Sequence, residues 1–487
     1  MVARRSVALA TAVIGVYASS AFALDGATTP QITPASIPGT DWRILELYTG
    51  GNTITSIADP GYTQKARFDG IGAYAQDANT VRVLFNHELG SAVHPNGASV
   101  SYLDLNRTNL RNWLAANTTT PSAQVVSKIG TAFTSFNGSS STTLGNFCSS
   151  SLFEPNRFGA GRGFASRLYM TGEEITGTGD EYAIDLDQTS PTFRQMFEVS
   201  ASNGVLPNGA FENVAQFDTG RTDKIGLLMF EDAGSDTTNG TAPMRMWIGN
   251  KDSSPGATFL QKNGLASGQL YYWIPSGTGT SAPQRFTSTG TTIGGTWSTS
   301  PSGAMLFSKL EDGDISPTSG TLAAFNCQDQ GTFTAQLTVN FNLDGTLNTT
   351  TSGASIKLLL EEALDGGSVV SFNNQDNMTW STANLLFTQE DGDNKQIWQM
   401  DPTNPTVAQI IATVTGAAGE SSGIVDVSTL FGYVPGSILL TDAQSGTLAD
   451  NQLVLMFSPN AQLVPEPSSL ALLGLGGLLL RRRRARA

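Results

Sequence analysis

The chain has 487 residues, and 27 Lys and Arg against 41 Asp and Glu give it a net charge of −14. This charge repels phosphate backbones and excludes a nucleic-acid binder of the basic kind. Two cysteines, Cys148 and Cys327, and two histidines are too few for a disulfide scaffold or a structural zinc module. Only 14% of the residues are charged and 52 are glycine, which favours an exported all-β protein of short strands and turns.

The first 23 residues have the pattern of a secretory signal peptide. Arg4 and Arg5 precede an apolar stretch, and Ala21-Phe22-Ala23 provides the small-x-small pattern that signal peptidase requires. We therefore expect export and a mature start near Leu24. The two adjacent arginines leave both the Sec and the Tat route open.

Residues 24–464 are predicted to form one long all-β body. Strand-like segments bounded by Gly, Asn, Asp or Pro recur throughout: Thr80–Phe85, Arg167–Thr171, Lys224–Phe230, Met244–Ile248, Leu270–Ile274, Thr332–Phe341, Asn384–Gln389 and Gln396–Met400. The best helix candidates are Leu110–Asn117 and Ala354–Leu364. A β-propeller with loop insertions fits this length, although a large sandwich or two β domains remain open.

One stretch of the body has low complexity. Residues 276–302 are dominated by Ser, Thr and Gly, and they contain Phe286 and Trp297. Because two large aromatic side chains can be buried, we expect a long surface hairpin or insertion and not a domain boundary.

The C-terminal end carries three ordered features. Val464-Pro465-Glu466-Pro467 is followed by the apolar run Leu470–Leu480 and then by the arginine cluster Arg481–Arg484. An apolar run of 11 residues is short for an unaided membrane span. Residues 465–487 closely resemble the PEP-CTERM sorting signal of Gram-negative bacteria. The resemblance implies a chain held in the membrane until an exosortase cleaves it, and then released to the outer surface or extracellular matrix.

Removal of both ends makes the chain more acidic. Without the two signal arginines, the five tail arginines and Glu466, 20 basic and 40 acidic residues remain, a net charge near −20. Such a surface attracts cations, and an anionic substrate would need a local positive centre.

Acidic residues follow five of the apolar segments that resemble strands. These residues are Glu88, Glu173-Glu174, Glu231-Asp232, Glu311-Asp312 and Glu390-Asp391. If the strand ends meet at one rim, their oxygens would form a site for Ca²⁺, which takes six to eight oxygen ligands. The competing interpretation is that each pair is a solvated turn.

Three interpretations of Cys148 remain open. In an oxidising compartment it could pair with Cys327. It could also be a buried inert thiol, or a thiolate bound to iron or another metal that accepts soft ligands.

The order of the motifs resembles that of the PhoX-type alkaline phosphatases, which are six-bladed propellers with a calcium–iron centre. The resemblance spans residues 69–402, and its main elements are Asn86-His87-Glu88, Cys148 with Thr171-Gly172-Glu173-Glu174, Gly209-Ala210-Phe211-Glu212, Glu231-Asp232, Trp247–Lys251 with Lys262–Tyr271, Phe307–Gly313, Asp376-Asn377, and Asn384–Phe387 with Gln389-Glu390-Asp391.

The resemblance implies specific roles for residues of this chain. It implies Cys148, Glu212 and Glu311 as iron (Fe³⁺) ligands. It implies Asn86, Glu88, Glu174 and Glu390 as calcium ligands. It also implies that Lys309 and Glu311 are catalytic residues in the hydrolysis of a phosphorylated small molecule. The role of Cys148 accordingly shifts from a disulfide toward metal binding.

Two departures from the family pattern keep other functions open. Lys309 stands where the family has arginine, which exchanges a bidentate phosphate clamp for a point charge, and 25 positions separate Cys148 from Glu173 where the family has a short connection. The alternatives are a non-catalytic surface propeller with structural calcium that binds exopolysaccharide or a protein partner, and a lactonase-like hydrolase.

Overall fold

The computed structural model describes residues 29–35, 41–136, 142–200, 206–361, 372–392 and 395–464. The predicted signal peptide, residues 1–23, and the tail from residue 465 onward lie outside the described residues. Within the described ranges, no helix has the length and apolar character needed to cross a membrane.

The chain begins with two strands that pair with its C-terminal part, β1 (Ile32–Pro34) and β2 (Arg43–Thr49). The next strands are β3 (Phe68–Ala75), β4 (Thr80–His87), β5 (Ala92–Val93), β6 (Ser99–Asn106) and β7 (Val126–Thr131). Blade 1 is the antiparallel sheet β3-β4-β6-β7. Strand β4 of this blade is buried along nearly its whole length, and Val83, Leu84 and Phe85 form a continuous apolar run within it.

Helix α1 (Arg107–Ala116) connects β6 to β7 and confirms one of the two predicted helices. The Asn106 side chain accepts a hydrogen bond from Asn109 N at 2.9 Å and thereby caps the N-terminus. Leu110, Trp113 and Leu114 have the i, i+3, i+4 spacing of one buried face. Asn117 ends the helix in the left-handed conformation.

Blade 2 follows. Its strands, and the short β9 that pairs with β5, are β8 (Ser135–Phe136), β9 (Thr143–Leu144), β10 (Phe147–Phe153), β11 (Leu168–Glu173), β12 (Glu181–Asp185) and β13 (Gln195–Glu198). The sheet order is β10-β11-β12-β13-β8, and only the last pairing is parallel.

The middle of the chain forms one nine-stranded sheet. Its elements, with a separate β16–β20 pair, are β14 (Phe211–Phe217), β15 (Lys224–Glu231), β16 (Ala242–Pro243), β17 (Arg245–Asn250), α2 (Phe259–Lys262), β18 (Gly268–Pro275), α3 (Ala282–Arg285), β19 (Thr292–Ser298), β20 (Leu306–Phe307), β21 (Leu310–Ile315), β22 (Leu322–Cys327), β23 (Gly331–Thr338) and β24 (Gly353–Leu360). The order is β14-β15-β17-β18-β19-β24-β23-β22-β21. Its two end strands, β14 and β21, contact each other, so the sheet is nearly closed and barrel-like.

Strand β19 joins two four-stranded halves of this sheet, because it pairs with β18 on one side and with β24 on the other. It lies in the low-complexity segment 276–302, where Phe286 and Trp297 are buried in the core of the sheet. The helix predicted at Ala354–Leu364 is wrong, because residues 353–360 form β24. Ala354, Ile356 and Leu358 are buried while Ser355 is exposed, which is the period of two expected of a strand.

Two further blades complete the molecule. Their elements are β25 (Gln375–Trp380), β26 (Leu386–Glu390), β27 (Gln396–Met400), β28 (Gln409–Val414), β29 (Glu420–Asp426), β30 (Ile438–Gln444) and β31 (Gln452–Phe457), with 3₁₀ turns at Pro405–Val407, Thr429–Phe431 and Leu448–Asp450. Blade 3 is β25-β26-β27-β28-β1, and blade 4 is β29-β30-β31-β2. The N-terminal strands thus close the ring by pairing with the C-terminal blades.

The innermost strands contact one another in the order β3, β10, β14, β21, β25, β29 and back to β3. This ring confirms the predicted all-β propeller architecture. In place of six separate blades, the structure has four blades and the nine-stranded sheet, which supplies two of the inner strands. Apolar side chains fill the interior of the nine-stranded sheet, where Phe230, Phe325 and Phe333 from three of its strands stack on one another.

Candidate metal centre

Each inner strand carries a β-bulge near its start, where it pairs with the next strand of its blade. The pairing shifts register between Asp69/Ile71, Phe147/Ser150, Phe211/Asn213, Leu310/Gly313, Gln375/Met378 and Ser422/Ile424. Bulges change the direction of side chains and are frequent beside functional sites. Four of them contain an ionisable side chain that is directed to a common point: Cys148, Glu212, Glu311 and Asp376.

These four side chains and Glu174 form the axial cluster. One group joins Cys148, Glu174 and Glu212, and a second joins Glu212, Glu311 and Asp376; the ligand atoms of each group lie within 4.8 Å of one another. Glu212 belongs to both groups. Glu212, Glu311 and Asp376 are buried, whereas Cys148 and Glu174 are partly exposed, so the cluster opens to solvent on one side.

Several oxygens of the cluster have no hydrogen-bond partner among the described residues. They include Glu212 Oε2 and Asp376 Oδ1, both buried; Glu311 Oε1 likewise accepts no hydrogen bond but lies 3.3 Å from Lys309 Nζ. Buried carboxylate oxygens without donors are costly unless a cation neutralises them. The donor set, one thiol and four carboxylates, therefore fits a metal site with both soft and hard ligands.

Burial and mutual repulsion shift the pKa values of this cluster upward. Burial raises the pKa of Glu212 to about 7, with Asp232 adding to the effect, and raises the pKa of Glu174 to about 10, with Glu212 adding. The pKa values of Glu311 and Cys148 are also raised by burial and by neighbouring carboxylates. Without a cation the groups retain protons, so we expect metal binding to release protons and to weaken as the pH falls.

In the acidic pairs at the ends of the second strands of the blades, the two side chains point in opposite directions. Glu174, Asp232 and Asp391, the second members of their pairs, face the axis and its charged groups. The first members are held inside the blades: Glu173 accepts hydrogen bonds from Gly145 N and Asp180 N, Glu231 pairs with Arg245, and Glu390 accepts from Asn373 N and Gln375 Nε2. Successive side chains of a strand point to opposite sides, which explains the alternation.

Lys309 contributes a positively charged side chain to the axial cluster. Its Nζ lies 3.3 Å from both Glu311 Oε1 and Asp232 Oδ2, and it donates a hydrogen bond to Gln328 Oε1. Burial alone would lower the pKa of Lys309, but the carboxylates of Glu311 and Asp232 outweigh burial and raise it. The ammonium group is therefore protonated, and the carboxylates of Glu311 and Asp232 already balance part of its positive charge.

Two residues implied as calcium ligands, Glu88 and Glu390, lie outside the two groups of the axial cluster, and a third, Asn86, is engaged in hydrogen bonds. Asn86 uses its amide nitrogen to bind Cys148 O at 2.6 Å and accepts a hydrogen bond from Tyr169 at 2.8 Å, so it links blades 1 and 2. Glu88 lies at the rim and pairs with Arg67 at 3.3 Å. Glu390 is completely buried in blade 3 by the contacts given above.

The residues next to the ligands in the bulges form a polar floor beneath the cluster. Asn377 donates to Ser149 Oγ across the axis and accepts from Ser422 Oγ at 2.9 Å, while Asn213 donates to Asp312. Asp312 also accepts from Met378 N at 2.9 Å. These hydrogen bonds tie together inner strands of different blades and fix the positions of the ligands.

Sequence reasoning placed Asp376 in a motif but gave it no role, and it missed the rim residues Asp69 and Glu420. All three lie at the first or second position of an inner strand, just before or within its bulge, and no common local spacing marks them in the sequence. Asp69 is fully buried and accepts hydrogen bonds from Gly70 N at 2.7 Å and Gln444 Nε2 at 2.7 Å.

Cys148 and Cys327 are both free, so the disulfide that the sequence left open as one interpretation of Cys148 is not formed. Cys148 belongs to the axial cluster, whereas Cys327 is buried at the end of β22 and donates to Ser308 O at 2.5 Å. Cys148 lies in the bulge of β10 and Cys327 at the end of β22, so the two thiols belong to different sheets.

Comparison with known proteins identifies the C-terminal segment. Residues 463–484 match the PEP-CTERM protein-sorting motif, which supports an exported protein that is held through its C-terminus and processed by an exosortase. The resemblance of the propeller to PhoX-type phosphatases gains no support from the comparisons and stays a prediction.

No curated protein matches the chain. Among the solved structures that match is a structural genomics protein of unknown function from Bacteroides thetaiotaomicron VPI-5482. It is 9% identical, with a TM-score of 0.37, and the match covers 85% of this chain and 76% of that chain. Similarity at this level bears on neither mechanism nor substrate.

Proposed function

We propose that this exported protein is a metal-dependent hydrolase of phosphate monoesters, with its reaction centre at the axial cluster. The observation that carries the proposal is the convergence of one thiol and four carboxylates, three of these residues buried, with oxygens that have no donor. In a chain this acidic, bound cations would supply the positive field that a phosphate ester needs.

The ligand atoms divide by chemistry. The resemblance assigns Cys148, Glu212 and Glu311 to iron, a set of thiolate and carboxylates that suits this metal, and Glu212 is the residue that joins the group of Cys148 to the group of Glu311. Glu174 adds an oxygen ligand to the first group and Asp376 adds one to the second, where calcium would fit. Asn86 and Glu390 already use their side chains in hydrogen bonds within the protein, so their contribution is to support the ligands.

Bound metal ions would supply Lewis acidity and a nucleophilic oxygen at neutral to alkaline pH. The residues of the chain have three roles around the bound metal ions. Glu212 and Glu311 hold the centre in place, the floor below excludes water from one side, and Lys309 offers its ammonium group to a phosphoryl oxygen at the open side. Binding of phosphate requires Lys309 to exchange its contact with Asp232 or Glu311 for the substrate.

A second candidate function is a non-catalytic surface propeller whose cation is structural. The observation in its favour is that Lys309 already contacts two carboxylates and Gln328. An ammonium group engaged in this way stabilises the cluster and is less available to a substrate. Such a protein would bind exopolysaccharide or a protein partner through its exterior.

Elemental analysis and an activity assay distinguish these functions. Protein purified without chelator should contain iron and calcium and should hydrolyse p-nitrophenyl phosphate at alkaline pH. Glu311→Gln should abolish turnover and reduce bound iron at unchanged fold, whereas the exposed Glu154→Gln should change neither. Calcium without iron and without turnover would support the structural alternative.

The Lys309 variants test how the substrate binds. Lys309→Ala should raise KM for the ester while bound metal is unchanged, because the lysine contacts ligands but is not one. Lys309→Arg should lower KM by providing a two-pronged contact to phosphate. Equal kinetics in the wild type and Lys309→Ala would remove the lysine from the mechanism.

A further inference from the structure

Blade 1 contains a cavity of about 350 Å³ that shares no residue with the axial cluster. It is lined by Gly61, Tyr62, Thr63, Gln64, Lys65, Leu89, His94, Pro95, Asn96, Ser99, Ser101 and Thr131. The volume lies within the roughly 300–1,000 Å³ range of small-molecule sites. Both histidines of the chain are associated with it, since His94 lines the cavity and His87 contacts the lining residue Ser101.

Lys65 gives this cavity a positive charge that the protein does not neutralise. Its Nζ donates to Gly97 O at 2.9 Å. Burial lowers the pKa of Lys65 to about 8, and none of the described carboxylates offsets that effect. The Lys65 ammonium group therefore has no ion pair to a described carboxylate. Two of its three donors remain for a ligand.

The other polar groups of the cavity are neutral. Burial and the charge of Lys65 lower the pKa of His94, and its buried Nδ1 has no hydrogen-bond partner among the described residues. The Tyr62 hydroxyl lies 2.9 Å from Ser101 Oγ, which lies 2.7 Å from His87 Nε2. The cavity therefore offers a single positive charge, hydroxyl groups and the apolar surface of Leu89 and Pro95.

We propose that this cavity binds a small hydroxylated monocarboxylate of the size of one sugar acid, with its carboxylate on Lys65. One ammonium group matches a single negative charge, whereas sites for phosphate dianions commonly use arginine clusters or several cations. The hydroxyls of the ligand would bond to the side chains of Thr63 and Ser99 and to His94 Nδ1. The ring of Tyr62 provides a flat surface for its carbon skeleton.

Calorimetric titration of the mature chain with D-glucuronate and D-glucose tests the proposal, because the two probes differ in the carboxylate. Glucuronate should bind at least tenfold more tightly than glucose. Lys65→Gln should lose this preference, while Lys395→Gln should retain it. Lys395 is a matched control, since its Nζ also donates to one backbone carbonyl, Ala418 O at 3.1 Å.

Each contrary outcome overturns the proposal. Equal binding of the two sugars, no binding of glucuronate, or full binding by a folded Lys65→Gln would do so. Lys65-dependent binding of inorganic phosphate that is tighter than the binding of glucuronate would also overturn it, because the ligand would then be a phosphate and not a carboxylate.

A measurement on the unaltered protein avoids dependence on the variant's folding. Glucuronate should protect Lys65, and not Lys395, from acetylation by acetic anhydride in peptide mapping, and equal labelling of Lys65 with and without glucuronate would refute the site. Both tests can be run with chelator present, so their outcome is separate from that of the axial centre.

Discussion

The replacement Glu212→Gln should raise thermal stability in the absence of a cation, and this advantage over the wild type should largely disappear when a cation is bound. Glu212 is the residue shared by both groups of the axial cluster, and glutamine keeps its volume while removing its charge. Without a cation, the variant should be more stable than the wild type, because a buried negative charge is removed. With a cation, it should gain less stability, because a ligand is lost.

The size of the first effect follows from the geometry. Two charges 4.8 Å apart repel by about 3.5 kcal/mol at an effective dielectric constant of about 20. Atoms closer than 4.8 Å repel more strongly and partial protonation of the cluster weakens the repulsion, so the value is an order of magnitude for each pair. With an unfolding entropy of about 0.9 kcal/mol/K for roughly 440 residues, it corresponds to a rise in Tm of about 4 °C.

The second effect follows from mass action. A cation at about a thousandfold its Kd stabilises the folded wild type by about 4 kcal/mol, which is again a Tm increase of about 4 °C. Glu212→Gln should lose most of this gain, because it removes one ligand from each of the two groups. In chelator the variant should therefore melt about 4 °C above the wild type, and in excess cation this difference should largely disappear.

Differential scanning calorimetry at pH 8, in EDTA and in excess Ca²⁺, measures both effects. Glu154→Gln is the control, since Glu154 pairs with Arg167 at 2.9 Å and its side chain is 48% exposed. This control should have the same cation-dependent gain as the wild type. If Glu212→Gln also matches the wild type in both buffers, the cluster does not bind the cation and the reasoning fails.

Three other predictions concern the ends and the floor of the propeller. In a host with an exosortase, the mature protein should lack Arg481, and intact mass of surface-extracted protein checks this; recovery of peptides through Arg481 would contradict it. Deletion of residues 29–49 should abolish the cooperative thermal transition in circular dichroism, because β1 and β2 close blades 3 and 4, whereas deletion of residues 465–487 should leave it unchanged. Asn377→Ala should lower the free energy of unfolding in urea by about 1–3 kcal/mol, because it leaves buried partners of the floor unsatisfied, and an unchanged urea midpoint would argue against the floor.

The local sequence was sufficient for several features. Short apolar segments ended by turn residues predicted strands such as β4, β15 and β27, and in β15 burial on both faces leaves a continuous apolar run. The sorting motif was also readable, since it depends on the linear order of Pro-Glu-Pro, apolar run and arginines. The placement of acids after strands drew attention to two members of the axial cluster, Glu174 and Glu311.

Other features depend on contacts between residues that are distant along the chain. Residues 353–360 pair with β19 and β23, and these pairings override a pattern that resembled a helix. The amide of Asn86 is occupied by Cys148 O, which lies 62 residues away. No local spacing could show that this side chain joins two blades.

Composition and local order determined that the protein is an exported all-β chain with acids collected at strand ends. Only the tertiary structure decided which acids form the site. In Glu173-Glu174 and Glu390-Asp391 the second member faces the axis, because alternation along the strand turns its neighbour into the blade. The bulges then direct Cys148, Glu212, Glu311 and Asp376 to one point, because closure of the ring brings together inner strands that lie far apart in sequence.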